Sequence, residues 1–125
     1  RLQSDMVDLL EAALDGRLHE TNAVWDARPS IGVVLAAHGY PAKVRNGDAI
    51  HGLDAAHAPD TKIFHAGTKL VGSEVVTAGG RVLTVCALGQ DIVEARAKAY
   101  AEVEKIRFDG LQFRRDIAQR AIGRS

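Results

Sequence analysis

The tightest constraint on the fold lies in residues 91–106. Ile92, Ala95, Ala99, Val103 and Ile106 recur at steps of three and four, with Tyr100 beside them, so they share one side of an α-helix. Asp91, with Glu94 three residues later, has the spacing of a capping box in which Asp takes the Ser/Thr place. A helix with a single apolar side must bury it against a second layer. The preceding residues supply that layer, because they are dominated by strand-length apolar runs.

"IGVVLAA" (31–37) is a continuous apolar run rich in β-branched residues and predicts a buried strand. "KIFHA" (62–66) predicts another, and a short piece near 49–51 suits an edge. "EVVTAGGRVLTVCAL" (74–88) reads as two strands of a β-hairpin turning at Gly79-Gly80. Upstream, Met6, Leu9, Leu10, Ala13 and Leu14 define an amphipathic helix over 4–15, with Ser4 as its expected N-cap and Gly16 closing it. Asp109-Gly110 marks a turn, and "FRRDIAQRAI" (113–122) predicts a last short helix. Helix, antiparallel strands, helix is the pattern of an α+β domain.

The length, 125 residues, suits one domain. Hydrophobic residues at 46% and charged ones at 26% are ordinary for a globular chain, and no apolar run approaches the ~20 residues that would cross a bilayer. Cys86 is the single cysteine, so no intramolecular disulfide and no thiolate cluster can form; a reducing, cytoplasmic setting follows as the simplest expectation. The net charge is zero, which gives no field to gather nucleic acid or a membrane. Acids gather in residues 1–26 and bases in 105–125, a split that fits either two solvated surfaces or a charged docking face. Arg1 opens almost directly into a helical pattern, which reads as a segment of a longer polypeptide.

No P-loop, no GxGxxG between strand and helix, no GxSxG and no HExxH occurs. His19, His38, His51, His57 and His65 lack ligand spacing, so neither a metal site nor a self-contained catalytic apparatus is expected. Two glycine-bearing loops remain. In "HGYP" (38–41) Gly39 permits close backbone approach, and in "HAGT" (65–68) Gly67 stands beside the Thr68 hydroxyl and the Lys69 charge. Each loop reads either as a strand-end turn satisfying its own backbone or as a lip whose exposed amides hold an anionic oxygen.

The order of the motifs carries more than any one of them. "RLQSD", "VVLAAHGYP", "GDAIHGL", "KIFHAGT", "VVTAGGRVLTVCALG" and "RRDIAQRAI" follow one another across nearly the whole chain. In this order and spacing they resemble the C-terminal part of the phosphoribosylamine–glycine ligase (glycinamide ribonucleotide synthetase) family, which is of the ATP-grasp type. Ala42 and Val44 stand where the family often has glycine and tyrosine, and Ala78 where it often has asparagine.

The resemblance implies a ligase of purine biosynthesis that joins glycine to 5-phosphoribosylamine through a glycyl phosphate, using ATP with magnesium or manganese. It implies that nucleotide and metal are held mainly outside this segment. Residues 1–20 would be the last helix of the ATP-grasp region, and 21–125 the C-terminal domain, a small antiparallel, barrel-like sheet flanked by an N-terminal and a long C-terminal helix. The expected partners are the N-terminal and ATP-grasp domains of the same polypeptide and the two small substrates. Tyr40, Pro41, His65, Gly67, Thr68, Lys69 and Arg81 would then wall the substrate cleft, with Lys69 or Arg81 offsetting phosphate charge. The segment alone would be inactive. The competing expectation is a non-catalytic interaction module of the same fold.

Overall fold

In the computed structural model, residues 1–55 and 57–123 are described. Helix α1 (Met6–Leu14) is followed by a 3₁₀ turn (Leu18–Glu20) and strand β1 (Ser30–Ala36). Strands β2 (Thr61–His65), β3 (Thr68–Val71), β4 (Glu74–Thr77) and β5 (Arg81–Leu88) come next, then helix α2 (Ile92–Val103) and a single turn of helix, α3 (Gln119–Ile122). The α+β class expected from the sequence is the class observed.

The strands form two antiparallel sheets, one ordered β1-β5-β2 and one made of β3 and β4. Within the first, Ile31, Val33 and Leu35 stand opposite Ala87, Val85 and Leu83. All six are buried, and α2 lies over β1 and β5 to cover them. Ala95, Ala99 and Val103 of α2 face this layer, and Ile106 and Phe108 close its end. The period of three and four read from the sequence is therefore the buried face of the helix.

Asp91 caps α2 by accepting from the Glu94 amide at 2.8 Å. The Glu94 carboxylate reaches back to the amide of Gln90, one residue earlier than the box spacing predicts.

Four expectations are corrected. Val34 and Gly32 point away from α2 and are exposed, so β1 alternates instead of being buried throughout. Gly79-Gly80 is no hairpin turn, because β4 pairs with β3 while β5 pairs with β1 and β2. The tight turn lies at Gly72-Ser73, where Gly72 takes φ +61°. The N-cap of α1 is Asp5, whose carboxylate accepts from the Val7 amide at 2.7 Å, while Ser4 accepts from the Val24 amide of the following connector. Finally, 113–118 is not helical; the chain there is irregular, and Tyr100 pins it through its hydroxyl to the Arg114 carbonyl and the Ile117 amide.

Among the described residues nothing covers the apolar side of α1, where Met6, Val7, Leu10 and Leu14 are all exposed and only Ala12 is buried. The face of the β1-β5-β2 sheet opposite α2 is likewise open around Val34 and Phe64, which flank Thr84 from either side.

Candidate functional site

Three motifs meet at one corner of the molecule. Past β1, the Ala37 amide donates to the Gly80 carbonyl at 2.9 Å, bringing the "HGYP" turn onto the start of β5. The Tyr40 ring rests on Gly80, where a Cβ would come within 2.6 Å of the ring. Gly39 has φ +81°, and a Cβ on it would lie 1.9 Å from the Lys43 carbonyl oxygen, so the turn excludes any side chain there. The Tyr40–Pro41 peptide is cis.

The "HAGT" loop is fastened to the same place. Gly67 donates to the Arg81 carbonyl at 2.8 Å and accepts from the Ala78 amide at 2.7 Å. An added Cβ at Gly67 would meet Gly79 Cα at 2.7 Å, a backbone–backbone contact only two glycines permit. Gly67 is thus required by the chain's own packing, and its φ is not in the left-handed region. Of the two readings of this loop, the strand-end turn that satisfies its own backbone is the one this amide fits, because it is already bonded. The Thr68 amide is also taken, by the Ala66 carbonyl at 3.0 Å.

What this corner offers a ligand is side chains. His65 Nδ1 and Thr68 Oγ1 are 3.0 Å apart, so the imidazole orients the hydroxyl. Lys69 is exposed on β3, and Arg81 is exposed at the first position of β5. Among the described residues neither cation has a side-chain hydrogen bond or ion pair, and the Tyr40 hydroxyl has none either. Arg96, Arg114 and Arg115, by contrast, are engaged, Arg114 with Asp116 at 2.6 Å, Arg115 with Glu104 at 3.4 Å and Arg96 with the carbonyls of Ile117 and Arg115.

Beside this corner runs a groove of about 380 Å³. Val34 and Ala36 form its floor, Tyr40 and Arg81 one wall, and Gln112, Phe113 and Arg114 the other. The second wall stands where it does because Gln112 pairs with Ala36 as a β-bridge, at 2.8 and 3.0 Å, and its side-chain amide donates to the Ala37 carbonyl. A helical reading of 113–122 hides these residues. Leu111 and Phe113 half-buried against the core, with exposed Gln112 between them, have the alternation of a strand, which is the available signal.

The perturbed acids and bases elsewhere hold the fold together. Arg28 keeps the Asp26 carboxyl down at about 2 by hydrogen bonds from its side chain and backbone. Burial pushes the Cys86 thiol upward, which makes it a poor nucleophile. Among the described residues no group of three or more His, Cys, Asp or Glu could hold a metal ion. The donors present therefore do not fit a magnesium or manganese site, and no helix among the described residues is long and apolar enough to cross a membrane.

Residues 30–120 match the family described as "Phosphoribosylglycinamide synthetase, C domain". The chain is 54% identical over 125 residues to the phosphoribosylamine–glycine ligase of Yersinia pestis and 52% identical over 125 residues to that of Neisseria meningitidis. Each alignment covers 99% of this chain and 29% of the relative, so the chain spans less than a third of the ligases it matches. The crystal structure of phosphoribosylamine–glycine ligase from Thermotoga maritima is similar to it with a TM-score of 0.68 and 35% identity, over 86% of this chain and 27% of that one. On the sequence match and the shared fold together, the chain belongs to the phosphoribosylglycinamide synthetase C-domain family.

Proposed function

We propose that this chain is the C-terminal portion of a phosphoribosylamine–glycine ligase and forms one wall of its substrate cleft. The observation that carries this reading is the corner where "HGYP", "HAGT" and "GGR" converge, leaving two cations and two hydroxyls with no partner beyond His65 among the described residues. Arg81 and Lys69 offset the charge of a phosphate, and Thr68, oriented by His65, hydrogen-bonds the substrate or a water on it. Tyr40 and Pro41 shape the lip. Gly67 serves by letting the two loops touch.

The reaction joins glycine to 5-phosphoribosylamine with ATP, in the cytoplasm. ATP and its magnesium or manganese sit mainly on the other domains of the same polypeptide; the described residues of this segment hold no group of three or more His, Cys, Asp or Glu for the metal. Residues 1–20 are the last helix of the ATP-grasp region and 21–125 the C-terminal domain; the uncovered apolar side of α1 and the open sheet face at Val34 and Phe64 support contact with those other domains. The test is glycine-dependent ADP release by the full-length polypeptide and by residues 1–125 alone. The full-length chain should form glycinamide ribonucleotide and the segment should not. Turnover by the segment alone would overturn the reading.

A further inference from the structure

Asn46 is followed by Gly47, in the connection between the "HGYP" turn and the β-bridge at Ala49. Asn46 is exposed, and among the described residues its side-chain amide has no hydrogen-bond partner. Gly47 takes φ +94°, and nothing lies within 4 Å of the place where a Cβ would stand. The carboxamide carbon of Asn46 can therefore approach the Gly47 nitrogen without the crowding that a side chain on residue 47 would bring. Asn22, the other asparagine of the chain, precedes Ala23, whose Cβ supplies that crowding.

What holds the nitrogen back is its own hydrogen bond. The Gly47 amide donates to the Thr77 carbonyl at 2.8 Å. Thr77 is buried and anchors the segment twice more, its hydroxyl accepting from the Asp48 amide at 3.1 Å and its amide donating to the Asp48 carbonyl at 2.9 Å. Arg45 fixes the other flank, with its amide on the His38 carbonyl at 3.0 Å and its guanidinium on Asp48 and Asp109. Attack by the Gly47 nitrogen requires this bond to open and the nitrogen to lose its proton, so local opening of the segment gates the reaction.

We propose that Asn46 is a site of spontaneous deamidation, gated by the hydrogen bond from Gly47 to Thr77. Once that bond opens, the Gly47 nitrogen gives its proton to a base and bonds to Asn46 Cγ. The Cγ–Nδ2 bond breaks, and the nitrogen leaves as ammonia with a proton from solvent. Water then opens the cyclic imide. Cleavage between Cγ and the Gly47 nitrogen gives aspartate, and cleavage between the main-chain carbonyl carbon of residue 46 and that nitrogen gives isoaspartate. The net change is uptake of water and release of ammonia, with no oxidation or reduction. Aspartate keeps the path of the chain. Isoaspartate routes the main chain through the former side chain and lengthens it by a carbon, which puts Gly47 and Asp48 out of step with Thr77. The bond from Arg45 to His38, which braces the "HGYP" turn, then loses its anchor.

The test is incubation of the full-length polypeptide in mildly alkaline buffer, beside a synthetic peptide of residues 43–50, with peptide mass mapping and enzymatic methylation of isoaspartate as readouts. The folded chain should gain the mass of an amide-to-acid exchange at Asn46 and leave Asn22 intact. The peptide should convert at least about tenfold faster than the folded chain, because it has no Thr77 carbonyl to hold the Gly47 amide. Asn46→Gln should remove the product, since its longer side chain must close a larger ring. Freshly prepared Asn46→Asp should keep the wild-type melting temperature, whereas the aged chain carrying isoaspartate should melt lower, which separates the added charge from the lengthened backbone. Conversion of the folded chain as fast as the peptide would overturn the gate. No product at Asn46 over many half-conversion times of the peptide would overturn the site. An aged chain that contains isoaspartate at position 46 and melts like the wild type would overturn the link to the "HGYP" turn.

Discussion

His57 and Glu102 form an ion pair across the loop that precedes β2, with Nδ1 of the imidazole 2.8 Å from Oε2 of a carboxylate that is only 1% exposed. Glu102 sits on the buried side of α2, at a position where the apolar period would lead one to expect a hydrophobic residue. It is satisfied there on every side: its Oε1 accepts from the Ala58 amide at 2.9 Å and from Lys105 at 2.7 Å. The other imidazole nitrogen faces the Leu53 carbonyl at 3.2 Å. Both partners of His57 are acceptors, so the ring that matches them is the doubly protonated one.

Glu102→Ala should therefore cost about 3 kcal/mol or more, because it leaves the Ala58 amide unpaired and opens a void under the loop. His57→Ala should cost less, about 1 kcal/mol, since Lys105 and the Ala58 amide still hold the carboxylate. Denaturant unfolding of the two variants measures the difference. Equal losses would mean the carboxylate and the imidazole act as one inseparable unit.

The same pair sets a pH dependence. Burial alone would raise the Glu102 carboxyl, but Lys105, the Ala58 amide and His57 outweigh it and hold it down at about 2, against an ordinary value of 4.5. Its contribution is thus complete above about 4.5 and is lost as the pH falls toward 2. His57 is raised above its ordinary 6.5 by Glu102 and then by the Leu53 carbonyl. Its contribution is complete below 6.5 and disappears as the pH rises through the higher folded value. Melting temperature followed across pH should fall on the alkaline side of 6.5 in the wild type, and His57→Gln should flatten that fall. An identical alkaline slope in His57→Gln would assign the loss to another group.

Gly67→Ala should destabilise the chain by at least about 1 kcal/mol, as overpacking does, because its Cβ would press on Gly79 Cα and the Arg81 carbonyl. Neither a left-handed backbone nor a bound substrate is needed to explain this glycine. Thr68→Ala should leave the melting temperature near that of the wild type, since Thr68 loses only an exposed contact with His65. Thermal unfolding of both variants separates these roles. A Gly67→Ala chain as stable as the wild type would mean the two loops can part at no cost.

Val103→Asp should cost several kcal/mol, because the side chain is 1% exposed among Ile106 and the strands, where a carboxylate would find no partner. An unchanged unfolding midpoint would place this face of α2 elsewhere than on β1 and β5.

The sequence is most legible where one period dominates. The stripe from Ile92 to Ile106 names the buried face of α2 because helical spacing leaves little choice of side. Pairing is less legible. Gly79-Gly80 looks like a hairpin turn from its neighbours alone, but its use is to let Gly67 and Tyr40 approach, a long-range demand that local residues do not record. Glu102 is invisible for a similar reason, since its partners His57 and Ala58 lie 45 and 44 residues away. Of the candidate site, Tyr40, Thr68 and Arg81 are legible from motif order, whereas Gln112 and Phe113 are lost to a helical reading that ignores the pairing of Gln112 with Ala36.

The most direct measurement of what this segment does is glycinamide ribonucleotide synthesis by the full-length polypeptide with and without residues 21–125. The intact polypeptide should form the product from glycine, phosphoribosylamine and ATP. The truncated one, if still folded and able to bind ATP, should lose synthesis, because the segment proposed to wall the substrate cleft is gone. Undiminished synthesis by a folded truncated polypeptide would contradict a role for this segment in the reaction.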